Sequence, residues 1–571
     1  MKFFLTRITL ILLSLAAPLA LASQSIQFQL TGASETAKTN ITAQLAALEQ
    51  SYGQTLSQGD IQAIYTKSPA IIRQALQPLG YFRAVIFPKG LEFKDNHWVA
   101  HFYIHPGSAL PVTAVDIRLS GEGKNNPALM NLINHFPIKP GMTFQAENYT
   151  NAKNLLFQTA YNQGYLKASL TQKEIQINLQ RYTAVIILHM ETGSRYYFGD
   201  VHFNETPFAS AFLDRFISFQ QNEPFSSKKL LKFQQDLNNS RYFKDVNVTP
   251  LMQQTSDKRI PIQVDLSVPK AKVYKFGVGY GTFTGPRATL GMEWRRLGTM
   301  GHHFISEIKL SPVLSGIAAK YFIPGKNPLT DQFTIGVNGQ KFVPKNGRSI
   351  SETLSFSYVK TLSDWQHTLS LNYLIDRYRV DNDPSEVSRL LYPSYSLTHI
   401  KMDNMITPTS GHAVTFTLQG SSENILSSTS FGQGEMKGKI IWSPTDASRI
   451  MLRGDLGYTV VNDLARLPLT LNFFAGGVNS IRGFPDSSIG PGRYLEIASI
   501  EYQHRIIGDW SGAVFYDVGN ATNHFNDPLN RGAGVGLVYN SAIGPIQVYL
   551  ARAESKPQKP YQVEFSIGPQ F

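Results

Sequence analysis

The chain has 571 residues, contains no cysteine and carries a formal net charge of +12 at pH 7. The lack of cysteine excludes disulfides, thiolate metal sites and a cysteine nucleophile. The basic residues are scattered along the chain and form no stripe, so nucleic acid is not an expected partner, whereas anionic lipid and acidic proteins are.

The first segment has the pattern of a secretory signal peptide. Lys2 and Arg7 precede an apolar run from Ile8 to Leu21, and the run ends in the small-residue pattern Ala20-Leu21-Ala22. A basic start, a short apolar stretch and small residues at the end are typical of a cleaved export signal. We therefore predict a signal peptide over residues 1–22. Because no later stretch has about twenty consecutive apolar residues, a helical membrane protein is not expected.

The next part of the chain repeats one unit of about 80 residues three times, a period long enough for a small domain. Each copy opens with an alternating strand, continues through two helices with apolar residues at helical spacing, and closes with two more strands. In the first copy, Ser68 and Pro69 predict the start of the second helix. The predicted units cover residues 23–110, 111–195 and 196–272.

A short phrase recurs where the second helix of each unit ends. It reads Leu79-Gly80-Tyr81-Phe82, then Gln163-Gly164-Tyr165-Leu166, then Ser240-Arg241-Tyr242-Phe243. The glycine stands where a helix needs a left-handed residue to end, and the third copy has arginine instead. This β-α-α-β-β array resembles POTRA domains, periplasmic modules that precede outer-membrane assembly barrels. The resemblance implies that a sheet edge captures a client or partner strand, with a rigid spacer as the alternative.

From Val273 to Phe571 the pattern changes to alternating segments of about ten residues, which is typical of an antiparallel barrel that spans a membrane. The segments number about sixteen if Leu467 to Phe474 is a loop, and one more if it is a strand; an even number suits a bacterial barrel. The predicted fold is therefore α+β, with tandem POTRA-like domains followed by a 16-stranded antiparallel transmembrane β-barrel over residues 273–571.

A long apolar interval separates the eleventh and twelfth predicted barrel strands. Loops of roughly thirty residues without secondary structure are usually functional. Its stretch Leu467 to Phe474 would be an aggregation liability in water, so we expect the loop to fold back into the barrel. Arg482 would then be a buried charge that needs carboxylate partners.

Four motifs resemble those of the superfamily that contains BamA and the two-partner-secretion transporters. The loop-six signature corresponds to Arg482-Gly483-Phe484, and Pro408-Thr409-Ser410-Gly411 is similar to the Pro-x-x-Gly turn. The strand-twelve and strand-thirteen motifs supply the expected barrel-wall partners, which are Glu501, Phe515, Asp517 and Gly519. A guanidinium binds a carboxylate through two parallel hydrogen bonds, so Arg482 is expected to pair with Glu501 or Asp517. Gly483 allows a special backbone shape, and Phe484 or Phe515 is expected to stack on the guanidinium.

The resemblance implies a function as well. Three POTRA-like units before a barrel resemble the TamA family of barrel subunits, which implies a non-enzymatic outer-membrane insertase or translocase that assists the assembly or secretion of envelope proteins such as autotransporters. It also implies periplasmic N-terminal domains, unfolded β-rich clients and an inner-membrane-anchored partner resembling TamB. The alternatives are a two-partner-secretion pore for one adhesin, and a porin.

The sequence predicts neither a cofactor nor a metal site. No Gly-x-Ser-x-Gly elbow of a lipase occurs. His101 and His105 have the spacing of a helical metal pair, but they lie on a predicted strand, where they would be about 13 Å apart.

The barrel is expected to close weakly between its first and last strands. On the first strand Gly277, Gly279 and Gly281 point inward and supply no side chains to lock the pairing. Near the chain end, Pro569 removes a ladder donor, and the strand finishes at the aromatic Phe571. We therefore predict a lateral seam here; the alternative is that the glycines make room for the inserted loop.

Overall fold

The computed structural model describes residues 25–53, 55–282, 285–380, 383–404, 407–541 and 544–567. The predicted signal peptide, Pro569 and Phe571 lie outside these residues. The chain forms two compact units, of which the first extends to Asp200 and includes Gln220–Lys228 and Pro250–Ile262, and the second contains the remainder. Within the described ranges, no helix is both long enough and apolar enough to cross a membrane.

Three sheets of three strands correspond to the three predicted repeats. The strands are β1 (Ile26–Thr31), β2 (Val85–Lys94), β3 (His97–His105), β4 (Val112–Ser120), β5 (Ser169–Asn178), β6 (Thr183–Glu191), β7 (Tyr197–Phe203), β8 (Asp245–Pro250) and β9 (Arg259–Ser267). The sheet orders are β1-β3-β2, β4-β6-β5 and β7-β9-β8. In the first two sheets the central strand pairs parallel with the first strand and antiparallel with the second. The strand that closes each repeat is thus central, and the other two are edges.

The helices cover one face of each sheet. They are α1 (Glu35–Gln50), α2 (Gln58–Leu76), α3 (Pro127–Asn134), α4 (Ala146–Asn162), α5 (Ser210–Leu213) and α6 (Ser227–Asn239). In the first repeat the apolar faces of α1 and α2 bury Ile41, Leu45 and Ile64 in one core with Phe102 of β3. The predicted domain boundaries at residues 110, 195 and 272 stay predictions.

The predicted start of α2, with Ser68 as its cap, is wrong, because the helix is capped eleven residues earlier by Ser57 in a capping box. The Ser57 hydroxyl accepts a hydrogen bond from the Asp60 amide, and the Ser57 amide donates to the Asp60 carboxylate at 2.9 Å. Pro69 lies inside the helix, where it cannot donate an amide hydrogen bond to the preceding turn. Packing of the buried face continues across the proline, and most helical stability comes from such packing. The buried residues on both sides of it are Ile61, Ile64 and Ile72.

The recurring phrase contacts the next repeat at two joints. A Cβ at Gly80 would lie 3.3 Å from the Thr143 side chain of the second repeat. The Gly164 carbonyl accepts a hydrogen bond from the Tyr196 amide of the third repeat at 2.7 Å. Both glycines have φ 90°, and Arg241 in the third copy has φ 63°, so all three positions are left-handed. The glycines therefore end a helix and also let the following repeat approach the backbone closely.

Sixteen antiparallel strands form the barrel sheet, as predicted. They are β10 (Lys272–Gly281), β11 (Gly285–Leu297), β12 (His302–Leu310), β13 (Leu314–Pro324), β14 (Asp331–Phe342), β15 (Gly347–Leu362), β16 (Trp365–Val380), β17 (Glu386–Met402), β18 (Gly411–Ser421), β19 (Phe431–Thr445), β20 (Ser448–Val461), β23 (Tyr494–Ile507), β24 (Trp510–Thr522), β25 (Asn530–Ser541), β26 (Gly544–Ala553) and β27 (Tyr561–Ile567). The loop between β20 and β23 carries the two short strands β21 (Phe473–Ala475) and β22 (Ile489–Gly492), which pair with each other.

The two ends of this sheet, β10 and β27, meet at the seam. Each pairs with its neighbour in sequence, but within the described ranges no backbone pairing joins β10 to β27. The Phe565 amide donates instead to the Thr282 hydroxyl at 3.0 Å. Phe276 and Val278 of β10 face outward, and Val278 is 91% exposed. At the seam the described hydrogen bond thus joins a backbone amide to a side chain, whereas neighbouring strands elsewhere in the barrel sheet are joined by a backbone ladder.

The inward glycines of β10 face the neighbouring strand. A Cβ at Gly277 would lie 3.7 Å from the Thr289 side chain, and one at Gly279 would lie 3.8 Å from the Arg287 guanidinium. Among the described residues, no atom of the inserted loop would come within 4 Å of a Cβ at Gly277 or Gly279. Making room for the loop therefore does not account for these two glycines.

Candidate functional site

The interval between β20 and β23 folds against the inner wall of the barrel. Leu467 and Leu469 are fully buried. Leu467 packs in one apolar cluster with wall residues Leu374, Leu390 and Phe431. The apolar stretch is therefore a loop rather than a barrel strand, although its last two residues begin the short strand β21. Burying these side chains removes the exposed apolar patch that the sequence would otherwise present to water.

Arg482 lies at the centre of the site and is 1% exposed. Its Nε donates to one oxygen of Asp517 at 2.7 Å, and its Nη2 donates to the other at 2.8 Å. The Arg482 backbone amide also donates to Asp517, at 2.9 Å. The Ser499 hydroxyl donates to the same carboxylate at 2.6 Å. This is a bidentate arginine–carboxylate pair in which the loop backbone takes part, and its geometry is specific for a guanidinium.

Glu501 is the second acidic partner. Its carboxylate accepts a hydrogen bond from Nη1 of Arg482. The same carboxylate accepts from the Tyr549 hydroxyl at 2.9 Å and from the Gln503 amide group at 2.5 Å. The sequence left Glu501 and Asp517 as alternatives, and the structure brings both to the guanidinium, because neighbouring strands β23 and β24 place them on the same inner face.

The guanidinium face is covered by aromatic rings. The Phe515 ring centroid lies 3.5 Å from the Arg482 Cζ atom, and the Tyr549 centroid lies 4.8 Å from it. Phe484 does not stack there: it is buried in an apolar cluster with Phe473 and Ile481. Of the two aromatic residues expected from the sequence, Phe515 therefore makes the cation–π contact, which is strengthened by the exclusion of water.

Each of the two motif glycines, Gly483 and Gly519, allows a different neighbouring strand to approach its backbone closely. Gly483 has φ 89°, and a Cβ there would lie 2.9 Å from the Arg552 carbonyl carbon on β26. Its amide donates to the Glu564 carboxylate on β27 at 2.6 Å. Gly519 lies on β24, where a Cβ would come within 2.9 Å of the Ile497 Cα on the neighbouring strand. Gly519 thus allows β23 and β24 to approach each other closely, and it has no side chain that could contact Arg482.

A second guanidinium lies close to the Arg482–Asp517 pair. Arg453 lies behind Arg482, with its Nη2 3.1 Å from the Ser499 hydroxyl and 3.9 Å from the Asp517 carboxylate. Two guanidinium groups therefore face the two carboxylates of Asp517 and Glu501. A buried charge is tolerated only when it is paired and hydrogen-bonded, and this cluster meets both conditions.

The Pro-x-x-Gly turn follows β17 and is organised by an aspartate. The Asp403 carboxylate accepts hydrogen bonds from the Thr409 amide at 3.0 Å and the Ser410 amide at 3.1 Å. Burial would raise the pKa of Asp403, but these hydrogen bonds outweigh it and hold the pKa below its ordinary value. Arg449 of β20 donates to the Pro408 carbonyl at 2.9 Å, which ties the turn to the barrel interior.

A second anchor of the loop was not predicted from the sequence. Asp376 of β16 is fully buried and accepts hydrogen bonds from the Thr470 hydroxyl at 2.9 Å and the Ser349 hydroxyl at 2.6 Å. The alternation of side chains along β16 could have predicted that Asp376 lies on the inner face of the barrel. The same argument, applied to β26 and β27, could have placed Tyr549 and Glu564 there. No local signal indicates that these side chains meet the loop.

Family comparisons agree with this architecture. The Omp85 superfamily domain matches residues 317–571, the first POTRA domain of the TamA type matches residues 27–106, and the POTRA family of surface antigen variable number repeats matches residues 196–268. Among curated proteins, the chain is similar to the outer membrane protein assembly factor BamA of Nitratidesulfovibrio vulgaris, with 22% identity over 400 residues. The match covers 61% of this chain, which spans about half (48%) of the length of that relative.

Solved structures share the fold. BamA from Haemophilus ducreyi lacking POTRA domains 1–3 superposes with a TM-score of 0.65 and 18% identity, covering 80% of this chain and 99% of that one. CdiB from Acinetobacter baumannii superposes with a TM-score of 0.50 and 14% identity, covering 81% and 90%. The barrel lies in the outer membrane, and the POTRA domains lie in the periplasm. Residues 317–571 thus form an Omp85 superfamily domain, and the chain as a whole is similar to BamA- and TamA-like proteins.

Proposed function

We propose that the chain is an outer-membrane insertase or translocase that assists the assembly or secretion of envelope proteins, autotransporters among them. The observation that carries the proposal is the seam, where β10 and β27 lack a backbone ladder in the described part of the chain. A strand edge with free amide and carbonyl groups accepts a client strand through main-chain hydrogen bonds, in any sequence that can form a strand. Strand addition makes and breaks no covalent bond, so the proposal requires no enzymatic step.

In this proposal the loop motif locks the inner wall. Arg482 pairs with Asp517 and Glu501, while Gly483 and Phe484 fit the loop backbone and side chain against the strands next to the seam. The charge cluster of the docked loop is anchored on β23 and β24, two strands in the laddered part of the barrel sheet. The seam residues with which a client would first compete are Gly277, Gly279 and Gly281 on β10, together with Pro569 and Phe571.

In this proposal the periplasmic part of the chain binds the partners. In the first repeat β1 and β2 are the edge strands, and Phe87 and Phe93 of β2 are exposed. An exposed edge with apolar side chains fits an added strand from a client or from an inner-membrane-anchored partner resembling TamB. The TamA-type match of residues 27–106 supports such a partner at the first repeat.

A cysteine lock tests the function. The chain has no native cysteine, so Gly281→Cys on β10 and Ser566→Cys on β27, each one residue from the Phe565–Thr282 hydrogen bond, introduce a single possible disulfide. We expect the oxidised double variant to stop inserting a β-barrel client into liposomes and to recover after reduction. Each single variant is the control for the substitution itself. Full insertion by the oxidised barrel would refute seam-templated assembly.

An export pore for one secreted adhesin is the second candidate. It is favoured by the likeness to CdiB from Escherichia coli, which has a TM-score of 0.50 and covers 90% of this chain. A pore passes its substrate through the lumen, so it requires the loop to move and does not require the seam to part. Two results together would establish the pore in place of the insertase. Secretion would continue when the seam is locked, and it would stop when cysteines tether the loop.

A further inference from the structure

Glu564 connects the loop motif to the strand at the seam. It lies on β27, the last barrel strand, and its side chain is 1% exposed. One carboxylate oxygen accepts a hydrogen bond from the Gly483 amide at 2.6 Å. Gly483 directly follows Arg482, so this contact lies one residue along the backbone from the buried charge cluster.

The contact has little freedom to adjust. Gly483 lies flat on β26, where even a Cβ would come within 3.0 Å of the Ala553 amide nitrogen. The second oxygen of Glu564 is buried and has no hydrogen-bond partner among the described residues. A buried carboxylate that loses its remaining donor carries an uncompensated desolvation cost. Departure of the loop therefore leaves Glu564 in an unfavourable position on the inner wall.

The strand that carries Glu564 is the one most easily displaced. β27 has a full ladder with β26 on one side, whereas on the other side the described hydrogen bond runs from the Phe565 amide to Thr282, just beyond the end of β10. A strand held on one side opens at a lower free energy than an interior strand. We therefore expect the burial of Glu564 by the loop to affect how often β27 separates from β10.

We propose that Glu564 is a coupling residue: through its bond to Gly483 it ties the seam strand β27 to the loop motif, so that docking of the loop holds the seam and release of the loop loosens it. The inference rests on the proposed role of the seam, but the coupling itself needs no client. Coupling of two sites is reciprocal, so loosening β27 also loosens the loop.

Hydrogen exchange of the full chain in lipid nanodiscs tests the coupling. We expect Glu564→Leu, which keeps the bulk and loses the acceptor, to speed amide exchange in Tyr561–Ile567 by about tenfold or more, because the buried Gly483 amide is left without an acceptor. Glu564→Gln retains an acceptor oxygen and should exchange nearly as the parent does. The matched control is Gln562→Leu on the same inner face, since the Gln562 side-chain oxygen has no described partner.

A second readout separates coupling from local damage to the strand. Coupling predicts that Glu564→Leu also speeds exchange in Ile481–Phe484, and that Arg482→Ala speeds exchange in β27 while Glu564 is intact. The Arg482 variant keeps the test decisive if the barrel with Glu564→Leu does not fold. Unchanged exchange in β27 for Arg482→Ala, or an equal effect of Gln562→Leu, would overturn the coupling. If the coupling appears but a locked seam still inserts clients, the proposed function fails and the coupling stands.

Discussion

Replacing Arg482 by alanine should release the loop and leave the barrel assembled. The guanidinium makes four hydrogen bonds, two to Asp517, one to Glu501 and one to Ser499. Its removal leaves the buried carboxylates of Asp517 and Glu501 without their hydrogen-bonded guanidinium, although Arg453 stays 3.9 Å from Asp517. The strands themselves keep their ladders, so the loss falls on the docking of the loop and not on the barrel sheet.

The size of the effect follows from the burial of the pair. Removing one partner of a buried ion pair costs about 3–5 kcal/mol, since the other charge stays uncompensated. At about 1.4 kcal/mol for each factor of ten, the equilibrium constant for docking of the loop falls by roughly two to three and a half powers of ten. Such a change converts a loop that is almost always docked into one that samples the undocked state often.

Limited proteolysis and hydrogen exchange of residues 476–484 measure loop docking, and heat-modifiable electrophoretic mobility reports the barrel. We expect Arg482→Ala to lose loop protection, impair client assembly and retain the folded barrel band. Arg466→Ala is the matched control, because Arg466 lies in the same loop and pairs with Glu423 at 3.0 Å where both side chains are half exposed. Such an exposed pair is worth about 0–1 kcal/mol. Equal loop protection in both variants would refute the lock.

Three further predictions concern other parts of the chain. Asp376→Ala leaves two hydroxyls without an acceptor and should speed exchange in Leu469–Leu471 at a cost of about 1–3 kcal/mol, whereas Asp376→Asn should not; an equal effect of both would exclude the hydrogen-bonded anchor. Gly80→Val should lower the melting temperature of the repeats more than Gly141→Val, since both have left-handed φ but only Gly80 abuts the next repeat. A hydrogen bond from Lys258, together with one from the Arg195 amide, lowers the pKa of Glu122 to about 2. A depressed carboxyl pKa means that the contact is complete above about pH 4.5 and is lost as the pH falls towards 2; carboxyl NMR should show this, and Lys258→Ala should shift the titration upward.

The repeat organisation and the barrel class could be predicted from the sequence because they rest on local periodicity. Alternation with a period of two marks each strand, and the parity of sixteen strands assigns the loop with Arg482 to the interval after the eleventh. The need of Arg482 for carboxylates follows from the cost of burying a charge, which is independent of the fold. The motifs in the sequence therefore narrow the partners to Glu501 and Asp517 without any tertiary information.

The error at Ser68 shows where local signals mislead. Ser68-Pro69 has the residues of a helix start, but Ser57 and Asp60 form a capping box upstream, and the helix runs through the proline because its face is buried. Two adequate start signals in one segment cannot be ranked by sequence alone. The packing of α2 against the core of the first repeat decides between them.

Only the tertiary structure decided which side chains complete the site. Phe515 and not Phe484 covers the guanidinium, because β24 lies directly beneath the arginine while the loop turns Phe484 into an apolar cluster. Asp376 and Glu564 reach the loop from β16 and β27, strands far apart in the sequence. Alternation tells which residues point inward, but the register and curvature of a closed sheet determine which inward residues lie at the same height and meet the same loop.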